Sequence, residues 1–267
     1  MEFKLLLIVA VALCTALSGC KGSVVENGPK KEVSAYSEKI IEADIPLQLV
    51  LDCENSSIEV YSWNRNEVKF EMTKRIKGRE SKDNLFKLLN GFNIFTNKES
   101  GRINLICRYK GNSGKFAECL LGLKVFIPKK TNRIDCTQKT GKLKFIDDLH
   151  CNLNINTDSV VVEINRLEGR LVYKTKSGDL RISAGVIETD SFAQAIDGNI
   201  RIKGQFREAG SYSFKTGTGI VGLCLPDDLN AAFENLGQVE TCNFIKGDYP
   251  AKFKLESKIG KIEISKF

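Results

Sequence analysis

Histidine is almost missing from this chain: His150 is the single one among 267 residues. Nine cysteines are present, but none form a C-x-x-C pair. These two shortages remove the usual zinc spacings, so no metal ligands are assigned and "HC" at 150–151 reads as structural. A Ser-His-Asp or Cys-His centre would have to use His150, and no nucleophile-elbow motif supports one. Long apolar runs are missing too, since nothing after Cys20 approaches the ~18 residues of a membrane helix. Charge of one sign is not gathered anywhere. Lys and Arg number 40 against 33 Asp and Glu, a net of +7, with lysine and glutamate interleaved. A nucleic-acid footprint would concentrate that charge on one face. The spread fits solubility and a weak attraction to anionic headgroups or wall polymers.

One glycine pattern points the other way. "GTGIVG", Gly217 to Gly222, spells the G-x-G-x-x-G of dinucleotide-binding turns. That chemistry needs a helix after the glycines, whose N-terminus holds the phosphate. Here "LCLPDD" comes next and leaves no room for one, so neither nucleotide nor cofactor is expected.

The chain opens with a thirteen-residue apolar run, Leu5 to Leu17, too short to span a bilayer. A short apolar segment ending in small residues reads as a secretory signal. Its last four residues, Leu17, Ser18, Gly19 and Cys20, resemble the lipobox of bacterial lipoproteins. The resemblance implies a signal peptide over 1–19, diacylglycerol on the Cys20 thiol and further acylation such as palmitate. Two or three chains, at ~0.8 kcal/mol per buried CH₂, anchor stably. Residues 20–35 are polar, contain Gly28-Pro29, and read as a lipidated tether.

The remainder, 36–267, is dominated by one recurring form: a turn residue followed by apolar residues two and four places on. Gly141, Asp158, Gly178, Gly198, Gly219, Gly237 and Gly260 act as anchors, as do Ser56 and Gly101 earlier. Of the eighteen positions they specify, only Thr241 is polar. Alternation after a turn that tolerates positive φ is the mark of a half-buried strand leaving a corner. From Gly141 on, the anchors fall 17 to 23 residues apart. A unit of that size buries its apolar face only by stacking on its neighbours, ~4.8 Å away. The expected fold is all-β, a right-handed parallel β-helix or β-solenoid. An antiparallel β-sandwich or meander is the alternative, because hairpins use the same turns. "GTGIVG" then becomes one coil, with Gly219 at the corner and Gly222 facing outward. Leu85, Leu88 and Leu89 stand at helical spacing behind Ser81, which predicts one short covering helix over Ser81 to Asn90.

"ENSSIEVYSWNRNEVKFEMTKRIKG", with Ile58, Val60, Trp63 and Val68, is similar to the opening of bacterial "putative adhesin" domains, β-strand repeats of unknown function. "VFIPKK", "TKSGDLRI" and "LPDDLNAAFENLGQVET" resemble later elements of that family, so the likeness runs from about Ile45 to Phe267. It implies a fold and a cell-surface location, and it supplies no catalytic residues. The cysteine load and the stretch Cys107 to Leu123 depart from the pattern.

Seven cysteines lie beyond Cys20. Cys224 and Cys242 each stand five places after an anchor, so adjacent coils would bring them within disulfide reach. Cys107 and Cys119 flank a candidate hairpin, and Cys136 with Cys151 is a third pairing; free, partly buried thiols are the other reading. Asp147–Asp148 and Asp227–Asp228 sit beside turns, where aspartate caps backbone groups. Lys144, Arg181 and Arg201 occupy equivalent outward positions, a candidate basic ridge. Glu240 and Glu263 follow in the same file, however, so it reads as a solvated face rather than a polyanion groove. The expectation is a non-enzymatic, lipid-anchored extracytoplasmic module facing an envelope protein or surface polymer. A sensor or regulatory partner, or a glycan-active β-helix enzyme, are the alternatives.

Overall fold

The computed structural model describes residues 29–111, 117–240 and 249–267. Alternating β-branched and charged residues give sixteen strands and one helix among them. The chain begins with β1 (Lys31–Glu42), β2 (Leu47–Trp63) and β3 (Glu67–Gly78), then helix α1 (Lys82–Leu89). Strand β1 therefore starts inside the segment read as tether. The helix is capped as expected, with Ser81 Oγ accepting from the Asn84 amide at 3.3 Å. It lies over β1 and β3 and puts Leu85 and Leu89 into the core. Next come β4 (Phe92–Glu99), β5 (Arg102–Tyr109) and β6 (Glu118–Pro128).

From here each coil has two arms that meet at a corner. Strands β7 (Thr131–Leu149) and β8 (Asn152–Gly169) run unbroken through theirs. The next two coils split there into β9 (Leu171–Ser177) with β10 (Leu180–Ile187), and β11 (Ser191–Asp197) with β12 (Ile200–Lys203). After the short β13 (Gln205–Phe206), β14 (Gly210–Leu225) is again continuous, followed by β15 (Ala231–Glu240) and β16 (Ala251–Lys266). Every pairing from β7 to β16 is parallel. Antiparallel pairing is confined to β1–β3, β3–β6 and β4–β5. The fold is a parallel β-solenoid, not a sandwich or meander.

Register turns the repeat into columns. Leu143, Val162, Leu180, Ile200, Val221 and Ile262 stand opposite one another in successive rungs. Phe145, Ile164, Ile182, Ile202, Leu223 and Ile264 form the next inward column of the same arm. None of these twelve is more than 2% exposed. Each buried aliphatic side chain contributes roughly 1.5–3 kcal/mol, which no single rung could secure alone.

The corners explain the glycines. Gly178 and Gly219 have φ of +141° and +135°, and a Cβ at either would run into a carbonyl of the rung before, that of Val160 or Gly198. An L-residue meets a steric barrier there on two counts. Two anchors read from the sequence are corrected. Leu180 and Ile182 pair with Val162 and Ile164, so the corner of β8 is Val160, two residues beyond Asp158. Gly101 is no corner: it turns the β4–β5 hairpin, where Glu99 faces Arg102.

Coil order departs from chain order at both ends. Strand β16 pairs with both β14 and β15, and Gly219 lies opposite Gly260. The last coil is thus inserted between the two before it. Likewise β5 and β6 lie outside β2, and the chain then returns to lay β7 on the other side of β2.

Candidate interaction surface

The residues singled out for chemistry are largely occupied by structure. His150 Nδ1 lies 2.8 Å from Glu168 Oε2. Arg166, with His150 beside it, holds that carboxyl below the usual range. Asp147 accepts from the Ser62 amide at 2.9 Å, while Asp148 turns to Asn165 at 3.3 Å and Arg166 at 4.0 Å. Asp227 faces Lys266 at 3.9 Å beside the Pro226 turn. Among the described residues no group of three His, Cys, Asp or Glu is placed to hold a metal.

Only part of the expected cysteine pairing falls on described residues. Cys20 and Cys242 lie outside the described residues. Cys224 stands opposite Ser265 of β16, which lies between β14 and β15, and the expected pairing of Cys224 with Cys242 lies outside the described residues. Cys107 and Cys119 are not the two sides of a hairpin. Strand β5 pairs with β2 and β4, whereas β6 pairs with β2 and β3 on the other arm. The direct neighbour of Cys107 is Cys53, the cysteine that no expected pairing included. The described cysteines carry free thiols, including Cys136 opposite Ile155. Burial pushes the Cys136 and Cys151 thiols up to about 12, so neither is a thiolate nucleophile at neutral pH.

A feature that sequence reading missed lies just inside the corners. Gln138, Thr157, Thr175, Ala195, Thr216 and Ser257 form one inward column. Thr216 donates to Gly198 O at 2.8 Å, Ser257 to Gly219 O at 2.8 Å, and the Gln138 amide to Ser56 O at 2.6 Å. Each takes up a carbonyl that the corner of the neighbouring rung turns inward, which would otherwise be buried unsatisfied. A signal was there to find: "QKTG", "TKSG", "TGTG" and "SKIG" place a hydroxyl or amide three residues before the glycine.

The outward face of the second arm is a charge ladder. Lys124, Glu59, Lys144, Glu163 and Arg181 are neighbours in that order, alternating in sign. Lys144 pairs with Glu163 at 2.7 Å. Then the alternation breaks. Arg201 follows Arg181, Gly222 follows Arg201, and Glu263 and Glu240 complete the file. Lys261 neutralises those two, at 2.8 Å and 2.7 Å. The file is thus a mixed-charge face, as expected, with Glu163 between Lys144 and Arg181 and two arginines, Arg181 and Arg201, adjacent. They border a shallow groove of about 410 Å³ whose floor opens at Gly222.

A larger groove, about 650 Å³, lies on the first arm between Phe192 and Phe233, with Ser211 and Ser213 in its floor. On its rim Lys254 holds Glu234 at 2.8 Å, and Lys174 beside it sits 5.8 Å from the Phe192 ring centroid. Among the described residues no helix is long and apolar enough to cross a membrane.

No protein-family model and no curated protein matches the sequence. The chain is similar in structure to several solved bacterial proteins at low identity. A "putative adhesin" from Parabacteroides distasonis is 12% identical, with 86% of this chain and 97% of that one covered, at a TM-score of 0.47. A "putative cell adhesion protein" from Clostridium sporogenes is 13% identical over 88% and 100%, at a TM-score of 0.40. A "putative adhesin" from Bacteroides fragilis is 12% identical over 86% and 97%, at 0.36.

Proposed function

We propose that this chain is a lipid-anchored extracytoplasmic lipoprotein, its solenoid a non-enzymatic module that presents a rigid sheet face to an envelope protein or surface polymer. The observation that carries the reading is how the side chains are spent. The histidine, Asp147, Asp148, Asp227 and the buried thiols serve caps, ion pairs or packing. The outward face, by contrast, retains a groove in which neither Arg181 nor Arg201 has a described carboxylate within ion-pair distance. Solenoids offer such faces because stacking fixes the spacing of every outward side chain. The "LSGC" sequence supports attachment through Cys20, and the tether behind it sets the module off the membrane.

Feeding labelled palmitate to cells that produce the chain, alone and as Cys20→Ala, tests the anchor. The parent should carry label and partition with membranes, and the variant should do neither. Protease added to intact cells tests exposure. Label on both forms, or on neither, removes the anchor from the proposal.

A further inference from the structure

We infer that the groove at Gly222 is an oxyanion site, taking one phosphate or carboxylate group between Arg181 and Arg201. The inference rests on the reading of the stack as an interaction surface, and it names the chemistry that surface would take. Register makes Arg181 and Arg201 direct neighbours, with both side chains outward and exposed. Among the described residues neither has a hydrogen-bond or ion-pair partner, although Lys144 and Lys261 in the same region are each matched to glutamate. Two like charges one rung apart repel. An anion accepted between them relieves that repulsion, and the guanidinium fork suits planar or tetrahedral oxyanions.

Gly222 supplies the room. Its neighbours Val221 and Leu223 point inward, so its missing side chain is missing from the outward face. A Cβ there would meet Arg201 Cγ at 3.4 Å and Glu263 Oε2 at 3.7 Å, and any longer side chain would fill the notch. Ser183 adds a hydroxyl at the rim, whereas Ser265 donates its own to Leu223 O at 3.4 Å, and the Lys203 ammonium stands 4.8 Å from the Phe267 ring centroid nearby.

The width of the positive spot selects the ligand. Glu163 lies next to Arg181 on one side, and on the other Glu263, held by Lys261, lines the groove with its Oε2 3.7 Å from where a Gly222 Cβ would stand. An evenly charged membrane surface, or a polymer with an anion on every residue, would meet those carboxylates. A single oxyanion group fits between them.

The test is titration of the full-length chain, purified in detergent, with inorganic phosphate and separately with glucuronate, followed by calorimetry. Saturable binding of either probe is expected, with competition between them if both bind. The double variant Arg181→Gln/Arg201→Gln should bind at least about tenfold more weakly. Gly222→Glu should show the same loss, because it places a carboxylate in the notch. Its thermal midpoint should match the parent's, since the position faces outward in ordinary strand conformation. Equal affinity in parent and variants overturns the site, and so does the lack of saturable binding by the parent. Binding only to phosphatidylglycerol vesicles, with neither small probe bound, overturns it in favour of a membrane face. Failure of palmitate labelling or surface exposure would sink the surface reading and leave this site standing.

Discussion

At its N-terminal end the stack is covered: β1 and β3 extend one arm in the antiparallel sense, β4 extends the other, and α1 closes the core over them. At its C-terminal end the outermost described rung is β15, paired only with β16, and Leu236 and Val239 are 46% and 40% exposed. The outermost N-terminal strand, β1, instead carries charge across its edge, with Glu32 and Glu38 each 3.2 Å from a cation on β3. Charge on an edge strand discourages further pairing. Both ends share one device, an outer coil laid down before the chain turns back to fill the place inside it. They differ in that α1 closes the core at the N-terminal end, while exposed apolar side chains occur at both, Tyr36 and Ile40 on β1 being 61% and 49% exposed. In a stack where each rung rests on its neighbours, stability should be highest in the middle and should fall toward β15.

The largest effect expected breaks this contrast if it fails. Ile202 is 2% exposed between Ile182 and Leu223, and Ile202→Asp leaves a charge there with no partner. The loss should reach at least about 4 kcal/mol, enough to unfold the stack. Val239→Asp on the outermost rung can keep its carboxylate hydrated and should cost under ~1 kcal/mol. Urea unfolding of both variants measures the gap; equal losses would mean that β15 is as firmly held as the centre.

Corner glycines come next. Gly178→Ala drives a Cβ into the Val160 carbonyl at φ +141°, with rungs on both sides preventing relief. About 3 kcal/mol is expected. Gly237 has nearly the same conformation, φ +139°, and a similarly close carbonyl at Ser257. On the end rung the backbone can shift, so Gly237→Ala should lose roughly half as much. A smaller loss, about 1–2 kcal/mol, is expected for Thr216→Val, which leaves Gly198 O without its donor but preserves shape. Melting curves should place Gly178→Ala well below the other two variants.

The same contrast shows what could be read in advance. The middle coils were legible because every corner from Gly178 to Gly219 announces itself with glycine, followed by apolar residues at fixed distance. The corner at Val160 is not legible, since no glycine marks it and Asp158, two residues before, is the turn-type residue. Coil order at the C-terminal end was not legible at all. The pattern after Gly237 resembles that after Gly260, and local alternation says which face a side chain takes, not which rung lies beside it. Cys107 next to Cys53 was hidden for the same reason. The arginine pair was half visible: equal phase put Arg181 and Arg201 in one file, but the opening at Gly222 needed the register of four strands.

The smallest effect concerns acid, and it belongs to the covered end. Asp135 on β7 accepts from Gln48 on β2 at 2.7 Å, from Asn154 on β8 at 3.0 Å and from Arg133 at 2.9 Å, so one carboxylate ties three rungs. Burial pushes its pKa up, but those three donors outweigh it and hold the group below the 3.8 of a free side chain. A carboxyl depressed by folding contributes stability in full above its unfolded value, and loses it as pH falls through the folded one. Stability should therefore be flat on this account from pH ~7 to ~5 and decline below ~4. Asp135→Asn should cost about 1 kcal/mol at neutral pH and flatten the acid limb, because the amide no longer titrates. At the open end, the exposed Lys254–Glu234 pair should matter less, so Glu234→Gln should leave both the midpoint and the acid limb nearly unchanged. Unfolding midpoints for the parent and both variants between pH ~7 and ~3 decide it. If Glu234→Gln flattened the acid limb more than Asp135→Asn, acid sensitivity would belong to the open end and not to the capped one.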